Sequence, residues 1–182
     1  MLVIHPKDKT TAMLSILYAG LEAKVLDQTY SNKEVKDALN HTSRMERMML
    51  LGHGSDRGLF SKENDDCEEY DRLILNHSHA YYLRKHGGNV VAVWCNADAF
   101  ARKEGLHGLF SGMIISELSE AEEYGVHTTQ DELDRENVKL AERLRSLLDE
   151  DIVLSDVPKR LQAMDDAHTP LTDFNYKNFF YL

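Results

Sequence analysis

Three short apolar runs, each halted by a turn and separated by stretches of helical spacing, constrain the fold of this chain most. Leu2-Val3-Ile4 stops at His5-Pro6, Met48–Leu51 runs into Gly52-His53-Gly54, and Val90–Trp94 stops at Cys95. The last of these, VVAVW, is rich in β-branched residues and uncharged, as expected of a strand buried on both faces. Between the runs the residues read mostly as helix. Thr10 or Thr11 is placed to cap AMLSILYAG, and Ser31 with Glu34 forms a capping-box pattern ahead of NKEVKDALN. LILNHSHAYYLRKH reads as an amphipathic helix ended by Gly87-Gly88, and residues 131–150 keep apolar positions on one helical face. LEAKVLDQ (21–28) fits a further strand, and GMIIS (112–116) is a compact apolar run with an acidic helix, SELSEAEEYG, behind it. A short helix around VPKRLQAMDD precedes FNYKNFFYL, which fits a last strand or a segment packed on the sheet. Strands alternating with helices predict βαβ units: one α/β domain over residues 1–182, a three-layer sandwich around a mostly parallel sheet.

Composition bounds the function. A chain of 182 residues with 42% hydrophobic and 29% charged residues suits one globular domain, large enough to need no metal or disulfide staple. Its formal charge is −10, from 21 Lys plus Arg against 31 Asp plus Glu. Such a surface repels phosphate backbones and anionic lipid, so neither nucleic acid nor membrane is an expected partner. No apolar run approaches the roughly 20 residues of a membrane-spanning helix, and the first residues do not read as a secretory leader. Two cysteines, Cys67 and Cys95, make neither a Cys₄ zinc site nor a disulfide framework, which points to a cytoplasmic chain with reduced thiols. The glycine pattern contains neither of the common nucleotide-binding fingerprints.

In parallel sheets ligands bind at the carboxyl ends of the strands, near the point where strand order reverses. Two predicted strands carry chemistry there: MMLL leads into Gly52-His53-Gly54-Ser55, and VVAVW into Cys95-Asn96-Ala97-Asp98. If those strands are neighbours, His53 and Cys95 meet on one edge. A nearby imidazole lowers a thiol pKa from about 8.5 and later protonates the leaving group. Gly54 lacks a Cβ, so its N–H, with that of Cys95, is suited to hold a developing oxyanion.

An apolar strand ending in His-Gly, followed some forty residues later by one ending in Cys, resembles the caspase-like cysteine peptidases. The matching pieces are MMLLGHGS (48–55) and NVVAVWCNAD (89–98). The similarity is nearest to the CHAT and bacterial clostripain-like members, with GLHGLFSGM (105–113) lying where those chains run toward the next strand. The resemblance implies a caspase-like fold and a peptidase acting on peptide or protein substrates without a cofactor. It also implies a His53/Cys95 dyad with backbone oxyanion donors at Gly54 and Cys95. The sequence departs from the family at Trp94, where many members carry a small or acidic residue, a change that bears on the substrate pocket.

Ser55, Asp56, Trp94 and Asn96 flank the two candidate catalytic residues and are candidates to line a substrate pocket, as is Arg57. A solvated turn at 55–57, a packing role for Trp94, and helix capping by Asn96 or Asp98 are the plainer readings. Cys67, among acidic residues, reads as a bystander. His77 and His79, with Asp65, Asp66 and His53, are the only group from which a hydrolytic metal site can be imagined. The alternatives to a cysteine hydrolase are therefore a non-catalytic interaction domain on the same scaffold and, third, a metal-dependent hydrolase. Oligomeric state is left open.

Overall fold

The computed structural model describes residues 1–62, 72–150 and 152–182. Its centre is a six-stranded sheet: β1 (Leu2–Ile4), β2 (Lys24–Leu26), β3 (Met48–Leu51), β7 (Val90–Val93), β8 (Gly108–Ser111) and β9 (Phe179–Tyr181). The strand order is β2-β1-β3-β7-β8-β9. All pairings are parallel except β8 with β9. A small antiparallel sheet of β4 (Gly54–Ser55), β5 (Gly58–Ser61) and β6 (Arg72–Asn76) leaves the main sheet directly after β3.

Side chains of a strand alternate between faces, and here the alternation divides the core in two. Leu2, Ile4, Met48, Leu50, Val90 and Ala92 point to one side. There they meet α1 (Asn32–His41), α2 (Ala80–Leu83) and α3 (Ala97–Glu104). Val3, Met49, Leu51, Val91, Val93 and Leu109 point to the other. They pack under a 3₁₀ turn at Ala12–Leu17, the long helix α5 (Gln130–Asp149), α6 (Val157–Ala163) and residues of α7 (Pro170–Lys177). The short helix α4 (Leu118–Glu123) stands at the carboxyl edge with a smaller apolar cluster around Ile115 and Leu171. The architecture is a mixed α/β fold with a mostly parallel central sheet covered by helices on both faces. Among the described residues no helix is long and apolar enough to cross a membrane.

Local chemistry explains most elements. The predicted capping box at α1 is present, with Ser31 accepting from the Glu34 amide and the Glu34 carboxylate accepting from the Ser31 amide at 2.8 Å. Three expectations differ. Residues 72–76 form β6 rather than the start of a helix, because this run pairs antiparallel with β5 and ends where Asn76 caps the next turn. The strand after α3 is Gly108–Ser111, which the sequence reading did not single out, and the apolar run GMIIS behind it forms an irregular wall near Cys95. The C-terminal tail begins as helix α7, started by Thr169 and Pro170, before β9 closes the sheet.

Candidate functional site

The chain passes from β1 to β2 on one side and then to β3 on the other, so the strand order reverses between β1 and β3. The carboxyl ends of these strands form the crevice where parallel sheets bind ligands. His53 lies just past β3, and the loop after β1 crosses toward it. Cys95 lies just past β7, the other neighbour of β3. The register pairs Leu51 with Val93, and the Gly52 amide still bonds the Val93 carbonyl at 3.1 Å. The ladder ends with that bond: residues 52 and 53 bend away and residues 94–96 turn into α3, so His53 and Cys95 follow two adjacent strand ends without being paired. The strands are neighbours, and the two residues emerge on one edge.

Each side chain has partners of its own. His53 Nε2 is 2.6 Å from Thr10 Oγ1 and 3.5 Å from Asp8 Oδ1. Asp8 Oδ1 accepts from the Thr10 hydroxyl at 2.6 Å and from the Thr10 amide at 2.9 Å. A hydroxyl has one proton to give. Because Thr10 donates to Asp8, its oxygen accepts from His53 Nε2–H. Burial acts to raise the Asp8 carboxyl, but the Thr10 bonds and the nearby His53 and Lys62 outweigh it and hold it down to about 2. A firmly ionised carboxylate thus stands behind the imidazole. Asp8 was not singled out in the sequence and Thr10 was read only as a helix cap, since the contact of Thr10 with His53 spans 43 positions and depends on strand order.

Cys95 is a free thiol on the opposite wall. Its sulfur lies 3.5 Å from the Ile114 carbonyl and 3.9 Å from Glu120 Oε1. Burial first, and then the Glu120 and Glu117 carboxylates, push the thiol up to about 12. The depressed pKa expected of an imidazole-paired thiol is therefore not found in this conformation, since the sulfur faces acidic groups. Glu120 Oε2 also accepts from the Ser116 amide at 2.7 Å and the Glu117 amide at 3.1 Å, fastening the segment between them. Two buried asparagines fix that wall from behind. Asn175 accepts from the Ile115 amide at 2.8 Å, and both Asn175 and Asn137 donate to the Ile115 carbonyl at 3.0 Å.

A cleft of about 580 Å³ opens beside these two walls, and neither His53 nor Cys95 is among the residues that line it. Thr10 and Met13 line it on the His53 side, Ser116 and Glu117 on the Cys95 side, and Leu133 and Asn137 of α5 form its back. The residues that touch the imidazole and those that touch Glu120 therefore share one opening at the sheet edge.

The flanking candidates fare differently. Trp94 is 2% exposed, packs on Phe100 and donates from Nε1 to the Ser55 carbonyl at 3.0 Å. It is a pin fastening β4 to the sheet, not a substrate contact, because the α3-side core encloses its ring. Ser55 and Asp56 belong to the β4–β5 hairpin; the Ser55 hydroxyl accepts from the Arg57 amide at 3.1 Å, and Asp56 is exposed at the tip. Neither is among the residues lining the cleft. Asn96 occupies the N-cap position of α3 in the left-handed region, φ 66°, without a side-chain cap bond. Asp98 pairs with Arg102 at 3.6 Å.

Gly54 sits at a crowded point of the β4–β5 hairpin. The Phe60 amide bonds the His53 carbonyl at 2.8 Å, so the next pair, Gly54 with Leu59, is the non-hydrogen-bonded one, and the Gly54 N–H turns away from β5. The lack of a Cβ serves packing, since a Cβ there would lie 2.2 Å from Trp94 Cδ1 and 2.5 Å from the Gly58 carbonyl. Gly54→Ala is expected to cost about 3 kcal/mol in urea unfolding through this overpacking; a change under about 0.5 kcal/mol would show that Trp94 yields freely.

The histidines of the HSH triplet diverge. His77 bonds Glu104 at 2.8 Å with an 85% exposed side chain, whereas His79 is fully buried and accepts from the Asn76 amide at 3.1 Å. Asp65, Asp66 and Cys67 lie outside the described residues. Among the described residues no group of three or more His, Cys, Asp or Glu is gathered to hold a metal ion. Comparison with protein-family models and with curated proteins finds no match to this chain.

Proposed function

We propose that the chain is a cysteine hydrolase of the caspase-like kind, acting on peptide or protein substrates. The observation that supports the reading is that β3 and β7 are parallel neighbours, so His53 and Cys95 follow two adjacent strand ends at one edge of the sheet. In the proposed reaction the sulfur turns from the Ile114 carbonyl toward the imidazole. His53 then takes the thiol proton, and the sulfur attacks the scissile carbonyl. The Gly54 and Cys95 amides receive the oxyanion. Collapse of the tetrahedral adduct breaks the C–N bond, His53 returns its proton to the departing amine, and water releases the acyl group from sulfur. Thr10 and Asp8 hold the ring through Nε2 and stabilise the imidazolium, the part an orienting carboxylate plays behind a catalytic histidine.

A non-catalytic interaction domain is the second reading, and the acidic surroundings of the Cys95 thiol favour it. Incubation with a mixed peptide library, read by mass spectrometry, separates the two. The hydrolase reading expects a reproducible set of cleavages that disappears in Cys95→Ala while the melting temperature is kept. No cleavage, or cleavage that persists in Cys95→Ala, favours the interaction domain.

A further inference from the structure

The acidic wall around Cys95 has a structure of its own that the proposed chemistry does not use. The Glu120 carboxylate divides its oxygens between two tasks. Oε2 gathers the Ser116 amide, the Ser116 hydroxyl and the Glu117 amide, at 2.7, 3.1 and 3.1 Å. Oε1 faces the Cys95 sulfur at 3.9 Å. Residues 114–120 therefore form a strap along the thiol, anchored at one end by the asparagines that hold the Ile115 peptide and at the other by Glu120. The Ile114 carbonyl at 3.5 Å gives the thiol proton an acceptor away from His53. A thiol has one proton, and both of its neighbours on the strap are acceptors, so this geometry stabilises S–H and opposes the thiolate that is the nucleophile.

We propose that Glu120 is an autoinhibitory contact: its carboxylate closes the 114–120 strap against Cys95 and holds the thiol in its unreactive, protonated form. The inference rests on the hydrolase reading for its biological sense, but the lock itself is a property of the thiol. Burial alone would slow reaction of Cys95; the lock adds a contribution from one charge, and removing that charge isolates it. Gln at position 120 keeps a carbonyl oxygen that can accept from the Ser116 amide, so the strap can stay capped while the charge is lost.

The test is the rate of Cys95 alkylation by iodoacetamide at pH 8, with the site assigned by peptide mapping, in wild type, Glu120→Gln, Glu120→Ala and the exposed control Glu122→Gln. The lock expects Glu120→Gln to react about tenfold faster or more, since one pKa unit is a tenfold change in thiolate, and Glu122→Gln to match wild type. A Glu120→Gln rate equal to wild type overturns the lock, and so does acceleration in Glu120→Ala alone, which would assign the effect to strap packing. Adding His53→Ala separates this inference from the hydrolase reading. A Glu120→Gln gain that survives without His53 supports the lock and one that vanishes overturns it, whereas the dyad is tested by whether His53→Ala itself slows alkylation in the Glu120→Gln protein.

Discussion

Acidification from pH 7 to pH 4 is expected to remove roughly 6 kcal/mol of folding stability, about 3 kcal/mol from each of two buried histidines. Burial lowers His5 to about 4, and burial together with the positive charge of Lys36 lowers His79 to about 4. The surroundings show why the neutral forms are needed. His79 Nδ1 accepts from the Asn76 amide at 3.1 Å, which a protonated ring cannot do. His5 Nδ1 meets the Tyr18 hydroxyl at 3.0 Å in a buried setting, and it is the loss of solvation there that disfavours an imidazolium. Both folded-state values lie below the unfolded value of about 6.5. The unfolded chain therefore binds protons first as pH falls, and stability is full above pH 6.5 and drains between 6.5 and 4. Asp8 acts in a lower window: its depressed value keeps its contribution until the pH drops below its ordinary value of 3.8 toward 2. Against a typical total of 5–15 kcal/mol, the histidine loss is enough to bring the domain near its unfolding midpoint. Urea unfolding at pH 7, 5.5 and 4.5 measures it. His79→Gln, which retains an acceptor without titrating, is expected to remove about half of the pH dependence; an unchanged slope would show that His79 does not carry it.

The second large effect concerns turnover. His53→Ala is expected to lower cleavage of any accepted substrate by about 10³-fold, within the range that a positioned acid–base group supplies. Thr10→Val, which leaves the imidazole in place but removes the oxygen that accepts from its Nε2–H, is expected to cost at least about tenfold. Thr10→Ser should restore most of that loss, because the hydroxyl and its bonds to Asp8 and His53 can be rebuilt. Equal rates for Thr10→Val and wild type would assign the Asp8–Thr10 bonds to loop structure alone.

The parts of this site that were legible in the sequence are those written in short segments. Met48–Leu51 and Val90–Val93 announce buried strands through unbroken apolar runs, and the residues that stop them, His53 and Cys95, stand out because strand ends carry chemistry. Contacts set by strand order were not legible. Asp8 and Thr10 reach His53 only because β1 and β3 are adjacent across the reversal of the sheet, and Glu120 reaches Cys95 only because the chain returns past β8. The misread segments fail for a related reason. Arg72–Asn76 and the helix-forming residues behind it have apolar spacing that suits either conformation, and pairing with β5 decides it. GLFS and GMIIS are both apolar; Leu109 and Phe110 fill opposite faces of the sheet, while the Ile115 peptide is held by Asn137 and Asn175. Trp94 was misplaced as a pocket residue because its position beside Cys95 says nothing of which face its ring takes. Alternation settles it, since Trp94 has the parity of Val90 and Ala92 and joins their core.

The central claim is that Cys95 and His53 act as one catalytic pair. Its most direct measurement is labelling by a peptidyl acyloxymethyl ketone, a reagent that relies on an activated thiol, read by peptide mapping in wild type and Glu120→Gln, each with and without His53→Ala. The account expects an adduct on Cys95 that forms at least about 100-fold more slowly when His53 is removed. Cys95 left unlabelled in both parent proteins, or labelled equally fast without His53, would contradict it.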